Sequence, residues 1–453
     1  MAVVVGMTVC SAGATVASAA VSAHASGPAQ LARPFDFNGD GRQDMVVGGL
    51  NGRRQRIVVV SGARSGLAPT GRPFSLATKG VAGADPAYAP FGVSVTSADF
   101  NRDGYADLAV VGSTSSRGLG GGQITILFGS PTGLHGVGSH RLLSTAGIRL
   151  FGTVQAADVN GDGWPDLIDA VRDPVQSPKE ATVLVLLGGP RGFSLAHSYA
   201  LTAPNFSRCV GCALAVGDVN GDGHPDVVLG TARHGTWFCP GTATGPKSCR
   251  AIGASASEGV CIGDLTGDGY PDIVAVGGGR VDLYRGGPAG PKQPALITRA
   301  TPGIPGGRGG FVAPVLTDLN HDGHADLVVG SRDPDSFVTI IFGRRSGFAT
   351  HGNVRFSAAG VGVPGAGNLA DRFGGGMSTL DVTGDGDKDL LIGDTNAAHE
   401  YGTVTLLLDT RRGLVITTHA RSMTMSSLGV THHGRSPDFG DLIGQPASSH
   451  LAG

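Results

Sequence analysis

The chain is poor in aromatic side chains, 6% of its 453 residues, and in charged ones, 15%. It has few glutamates, Glu180, Glu258 and Glu400, so the Glu pair of many glycoside hydrolases is not expected. An Asp pair stays open, because Asp is abundant. There is no Gly-x-Ser-x-Gly elbow, His-Glu-x-x-His helix or phosphate loop, which removes the signatures of common serine, zinc and nucleotide enzymes. No run of about 18 apolar residues is present to span a membrane. Arg-Gly-Asp, a C-terminal wall-sorting signal and an anchor helix are also missing. Nor is this a disordered composition, with hydrophobic residues at 40%. Glycine, 77 residues, and many short apolar runs suit an all-β chain rich in turns.

Cysteine is scarce and local. Beyond Cys10 the chain has Cys209, Cys212, Cys239, Cys249 and Cys261. Cys239 and Cys249 would staple one loop. Cys209-x-x-Cys212 has the spacing of half a zinc site, although an exported chain favours disulfides. Cys209, Cys212 and Cys261 are an odd set that spacing does not pair. Residues 1–27 carry no charge and combine an apolar stretch, Ala2 to Val9, with small-residue sites at Ala17-Ser18-Ala19 and Ala23-His24-Ala25. They read as a secretory signal peptide whose basic start lies upstream. An Ala-rich tail is the plainer alternative.

What the chain does have is a nine-residue string, Asp-x-Asn/Thr-x-Asp-Gly-x-x-Asp, seven times over. Alternating oxygen side chains on a sharp glycine turn can wrap a hard cation, and Ca²⁺ accepts such a flexible oxygen shell more readily than Mg²⁺. In the first copy Asp36, Asn38, Asp40 and Asp44 supply side chains and Arg42 its carbonyl. The other candidate ligand sets are Asp99, Asn101, Asp103, Tyr105 and Asp107; Asp158, Asn160, Asp162, Trp164 and Asp166; and Asp218, Asn220, Asp222, His224 and Asp226. Then come Asp264, Thr266, Asp268, Tyr270 and Asp272; Asp318, Asn320, Asp322, His324 and Asp326; and Asp381, Thr383, Asp385, Asp387 and Asp389. The seventh position varies freely, as expected of a backbone ligand, so His224 and His324 are poor transition-metal candidates. No Glu follows at position 12, so these are not EF-hands. Asx-rich turns without an ion are the alternative, but clustered carboxylates repel one another and are costly to keep without a counter-ion.

The strings recur at intervals of 63, 59, 60, 46, 54 and 63 residues. Ahead of many stands a Phe-Gly or lone Phe: Phe91-Gly92, Phe151-Gly152, Phe311 and Phe373-Gly374. An apolar run follows each string, then an alternating strand such as 123–129. A lone small sheet cannot bury its apolar face, and radial stacking of such sheets makes a propeller. On these residues the chain, over about 31–450, resembles the FG-GAP/VCBS repeats of integrin α-subunit N-terminal domains and their bacterial relatives. Its Gly-Ala-Pro portion is absent, and blades four and five have Gly211-Cys212 and Gly259-Val260 in place of Phe-Gly. The resemblance implies an all-β seven-bladed propeller with a calcium loop in each blade, the loops lying on one face away from the ligand-binding face. The first string has no room for a leading strand, whereas Phe439-Gly440-Asp441-Leu442-Ile443-Gly444 is a spare one. The C-terminal segment is therefore expected to close the ring.

The strings hold 22 of the 36 acidic residues, three in each and Asp387 besides, against 34 Lys and Arg in the chain. Up to seven bound Ca²⁺ would carry the formal charge from -2 to +12, leaving a basic surface attractive to anionic partners. Arg53-Arg54-x-Arg56 is expected in an exposed hairpin, and His432-His433 as a solvated pair. The expectation for function is a secreted, monomeric binding, adhesion or scaffold module for an extracellular glycan or protein, not an enzyme, with no nucleic-acid partner and no transmembrane segment. The alternative is an extracellular hydrolase or lyase acting on polysaccharide or phosphoester.

Overall fold

The computed structural model describes residues 32–51, 54–82, 91–113, 122–143, 153–171, 182–193, 198–202, 213–232, 234–298, 300–304, 310–331, 336–363, 372–394, 402–410, 413–414, 416 and 420–430. Seven antiparallel sheets follow one another along the chain, each a meander in which neighbours in sequence are neighbours in space. Blade 2 is representative: an inner strand Phe91–Ala98, a second strand Asp107–Ser113, a third Gly122–Phe128 and an outer strand His135–Leu143. Blades 3 to 7 begin with inner strands Val154–Ala157, Ala213–Gly217, Gly259–Gly263, Phe311–Thr317 and Gly376–Leu380. Their outer strands are Ser198–Thr202, Arg250–Gly253, Ala295–Thr298, Val354–Ser357 and Arg421–Met423. The chain is an all-β seven-bladed propeller; among the described residues helical structure is limited to a single 3-10 turn, Ala359–Val361.

Both faces of each sheet are buried, because successive side chains on a strand point to opposite neighbours. In blade 4, Val227, Leu229, Trp237 and Cys239 pack against blade 3. The intervening Val228 and Phe238 pack against blade 5. The ring closes the same way: Leu391, Val404, Leu406 and Met423 of blade 7 share one core with Met45, Val58 and Phe74 of blade 1. A backbone bond from Gly71 to Leu428, 2.9 Å, joins the two blades further out.

The Phe-Gly lead-in has a structural reason. Phe91 and Phe373 are buried, and the glycine after each has a left-handed backbone, φ 90° at Gly92 and 84° at Gly374. At Phe91 that backbone accompanies a break in register between Phe91 and Val95. Blade 6 makes the corresponding break with Ala313 at φ 49°.

Blade 1 differs. Its described strands are Met45–Asn51, Arg54–Val60 and Arg72–Phe74, and no inner strand stands among the described residues. Phe35 makes one bond of the missing ladder, its carbonyl accepting from Asp44 N at 2.6 Å. Its φ of 66° then turns the preceding residues aside, and Arg33 reaches blade 7. The expected closing strand, Phe439 to Gly444, lies outside the described residues, as do the signal-like segment 1–27, Phe151-Gly152, Cys209, Cys212, Arg53 and the His432-His433 pair. Cys239 and Cys249 form the expected disulfide across the turn between the third and outer strands of blade 4. Cys261 is buried on the inner strand of blade 5.

Candidate metal centres

In blades 2 to 7 each Asp string is the tight connection between an inner and a second strand, and in blade 1 the string leads into the strand Met45–Asn51. Position 9 pairs with the residue just before position 1, as in Ala98 with Asp107 and Thr317 with Asp326. All seven strings therefore lie at one end of their sheets.

Within the string the backbone folds around the first aspartate. In all seven copies one carboxylate oxygen of position 1 accepts from the position-5 amide at 3.0–3.2 Å. Its other oxygen accepts from the position-6 glycine amide at 2.7–3.1 Å. Position 5 in turn accepts from the position-7 amide at 2.9–3.1 Å. Where position 3 is Asn, its Oδ1 accepts from the position-5 amide at 3.0–3.1 Å. Five backbone turns of this kind are copies of one local solution, set by Asp and Asn side chains bonding to amides two to five residues on.

Position 9 is more deeply placed. One of its oxygens accepts from the position-2 amide at 2.9–3.1 Å. Burial pushes Asp44, Asp107, Asp326 and Asp389 up to about 7, and Asp166 and Asp226 up to about 6. The carboxylates at positions 1 and 5 push in the same direction by repulsion, and the backbone donors only partly offset them. A buried carboxyl raised further by two neighbouring carboxylates is the electrostatic setting a cation relieves.

The donors are all oxygen, which suits a hard cation. Thr383, at position 3 of the seventh string, keeps a buried Oγ1 with no hydrogen-bond partner among the described residues. Among the described residues no three His, Cys, Asp or Glu side chains converge as a ready cage. An ion would be held by positions 1, 5 and 9 with the Asn or Thr oxygen, the position-7 carbonyl and water.

A family model described as FG-GAP-like repeat matches residues 36–110, 99–168, 158–229 and 264–329, together more than half of the chain. The chain belongs to the FG-GAP-like repeat family. Over 169 residues this FG-GAP chain is 32% identical to phosphatidylinositol-glycan-specific phospholipase D of Homo sapiens, a match covering 34% of the chain and 19% of that protein. Over 153 residues it is 33% identical to integrin alpha-IIb of Homo sapiens, covering 31% and 14%. The chain thus spans far less than two thirds of either relative. A lectin from Agrocybe aegerita, described as recognising non-reducing terminal N-acetylglucosamine, shares the fold with a TM-score of 0.51 at 18% identity, over 85% of this chain and 90% of that one.

Two sets of residues in the FG-GAP blades escaped the sequence reading. The second oxygen of position 9 accepts from the first amide of the turn between the third and outer strands, at 2.6–3.0 Å. In six blades that residue is glycine: Gly62, Gly129, Gly188, Gly241, Gly286 and Gly343. A Cβ there would meet the position-8 carbonyl oxygen of its own string at 2.2–2.7 Å. In blade 7 the residue is Asp409.

The second set links one blade to the next. Position 4 adopts a left-handed backbone, φ 58–77°, whether it is glycine or not; Arg102 and His321 are the exceptions to glycine. In most blades the position-7 side chain of the following blade lies over it, so that a Cβ on Gly39 would meet Tyr105 at 3.0 Å, on Gly221 Tyr270 at 2.6 Å and on Gly267 His324 at 2.6 Å, whereas one on Gly161 would have nothing within 4 Å. Arg102 instead stacks on Trp164, its guanidinium 5.2 Å from the ring centroid. His321 bonds the Thr410 carbonyl through Nε2 at 2.8 Å. The position-7 side chains therefore have a packing role beside their backbone.

Backbone bonds also cross between adjacent strings. The position-8 amides of Gln43, Ala106 and Ala325 donate to the position-1 carbonyls of Asp381, Asp36 and Asp264 at 2.9–3.2 Å. Blades 3, 4 and 5 have Pro165, Pro225 and Pro271 at position 8, which have no N–H to give.

Proposed function

We propose that the seven strings bind Ca²⁺ and that the protein is a calcium-stabilised extracellular module that binds a glycan or a protein. The observation that supports this best is the repeated buried position-9 carboxylate, raised by burial and by the carboxylates at positions 1 and 5 on an all-oxygen loop, with the unpartnered Thr383 Oγ1 in one of the strings. An ion bound only by the folded state contributes about 2.7 kcal/mol at a hundredfold excess over its Kd. Several such sites would decide whether the ring is folded. About a third of the chain is similar to part of an enzyme and about a third to part of an integrin subunit, so the two likenesses taken together favour neither activity. A hydrolase or lyase acting on polysaccharide or phosphoester is the second reading, and the phospholipase likeness is what favours it.

Calorimetric titration with CaCl₂ tests the ion directly. Wild type should take up several equivalents, and Asp158→Ala with Asp162→Ala should take up one fewer. No binding heat and no melting shift under EGTA would sink the calcium reading. A glycan array scored for both retention and product separates the binding module from the enzyme.

A further inference from the structure

We infer that the face bearing the Asp strings docks an acidic polysaccharide, gripped by cations on the turns between third and outer strands. The inference rests on the calcium reading and goes beyond it by assigning a face and a partner class. In an antiparallel meander the first and third connections emerge at the same end of the sheet, and here the two are tied by the bonds from position 9 to the turn amide. The strings and these turns form one surface.

The turns of blades 1, 3, 4, 5 and 6 present six exposed cations: Arg64, Arg191, Lys247, Lys292, Arg344 and Arg345. Among the described residues none of them pairs with a carboxylate; the recorded ion pairs use Arg33, Arg42, Arg280 and His321. Outside the three Asp of each string, the described acids of this face are Asp387 and Asp409, both beside His321. Without ions the strings dominate the face and repel a polyanion. Each divalent ion cancels two of the three charges of its string, so these Asp fall together from 21 negative charges to about seven spread around the ring, interspersed with the turn cations.

The occupant follows from what surrounds the cations. Their neighbours are small or hydroxylic, as in Ser65, Thr242, Thr244 and Ser346, which suits hydrogen bonds to hydroxyl and acid groups. The string aromatics of this surface, Tyr105, Trp164 and Tyr270, are only half-exposed and lie against position 4 of the preceding blade, and among the described residues the turns add no fully exposed ring on which nucleic-acid bases could stack. They expose no large apolar side chain to enter a membrane; Val137 and Leu296 lie on outer strands, and Ile416 beyond the blade 7 turn. Spaced cations without stacking or insertion match a flexible, hydrophilic polyanion.

The test uses the full chain, a heparin oligosaccharide as probe and neutral dextran as control. Wild type in CaCl₂ should bind heparin, more weakly as KCl rises, and should not bind dextran. Arg64→Glu, Arg191→Glu, Lys292→Glu, Arg344→Glu and Arg345→Glu together should weaken heparin binding roughly tenfold or more. The melting temperature and the CaCl₂ titration should not change, because these side chains hold no ion. Lys79→Glu, on the opposite end, should bind as wild type does. Calcium uptake with undiminished heparin binding by the five-site variant overturns this inference and leaves the calcium reading standing. No calcium uptake overturns both. Retention of anionic vesicles or single-stranded DNA in place of heparin overturns the choice of partner.

Discussion

Asp169 stands on the second strand of blade 3, at position 12 of its string, where the other blades have Val47, Val110, Leu229, Ala275, Val329 and Ile392. It is fully buried, and among the described residues neither of its carboxylate oxygens has a hydrogen-bond partner. Burial pushes its carboxyl up to about 8 from the ordinary 3.8. The folded state thus holds this proton more tightly than the unfolded chain. The stability linked to the group is full below about pH 4 and is lost progressively as pH rises toward 8. Asp169→Val should stabilise the protein by about 1–3 kcal/mol near neutrality, the cost of an unsatisfied buried polar group. Its advantage over wild type should grow between about pH 5 and 8. Denaturant melts at several pH values check this, and an advantage that shrank with rising pH would contradict it. The residue was visible as the odd member of an apolar column, but sequence could not show that nothing inside answers its charge.

At the scale of the element, the unit is larger than the nine-residue string. The string, the second strand and the turn after the third strand are joined through position 9, and the turn glycine is squeezed against the position-8 carbonyl. Gly129 is the clearest case: an added Cβ would lie 2.4 Å from the Ala106 oxygen. Gly129→Ala should therefore cost about 1–3 kcal/mol by overpacking, although Gly129 is remote in sequence from any catalytic or ligand residue. A melting temperature within error of wild type would mean that the turn yields freely. The strings and the Phe-Gly lead-ins were legible because they are short and fixed in spacing. The turn glycines were not, because the hairpin between second and third strands varies, placing them 14 to 22 residues after position 9. The contact between positions 4 and 7 was hidden for a different reason: its partners sit a whole blade apart, and only the closed ring brings them together.

For the whole molecule, the blade count and the radial order could be read from the period of the strings, whereas closure could not be followed to its end. Blade 1 lacks an inner strand among the described residues, and Phe439 follows the outer strand of blade 7 by nearly the same interval as Phe91 follows that of blade 1. Removing residues 436–453 should lower the melting temperature by several degrees, since an open sheet edge would be left in the ring. An unchanged melting curve would show that closure does not depend on that segment. EGTA should produce a separate, larger fall that added CaCl₂ reverses.

The prolines at position 8 give the ring an uneven hoop strength. Gln43 and Ala106 clasp blade 1 to both neighbours through amides, but Pro165 and Pro225 withhold that clasp on both sides of blade 3, the same blade that buries the unanswered Asp169. Under thermal or mechanical load the circle should part first beside blade 3. Amide exchange there would then run ahead of global unfolding, and a protease would find its earliest cuts flanking that sector.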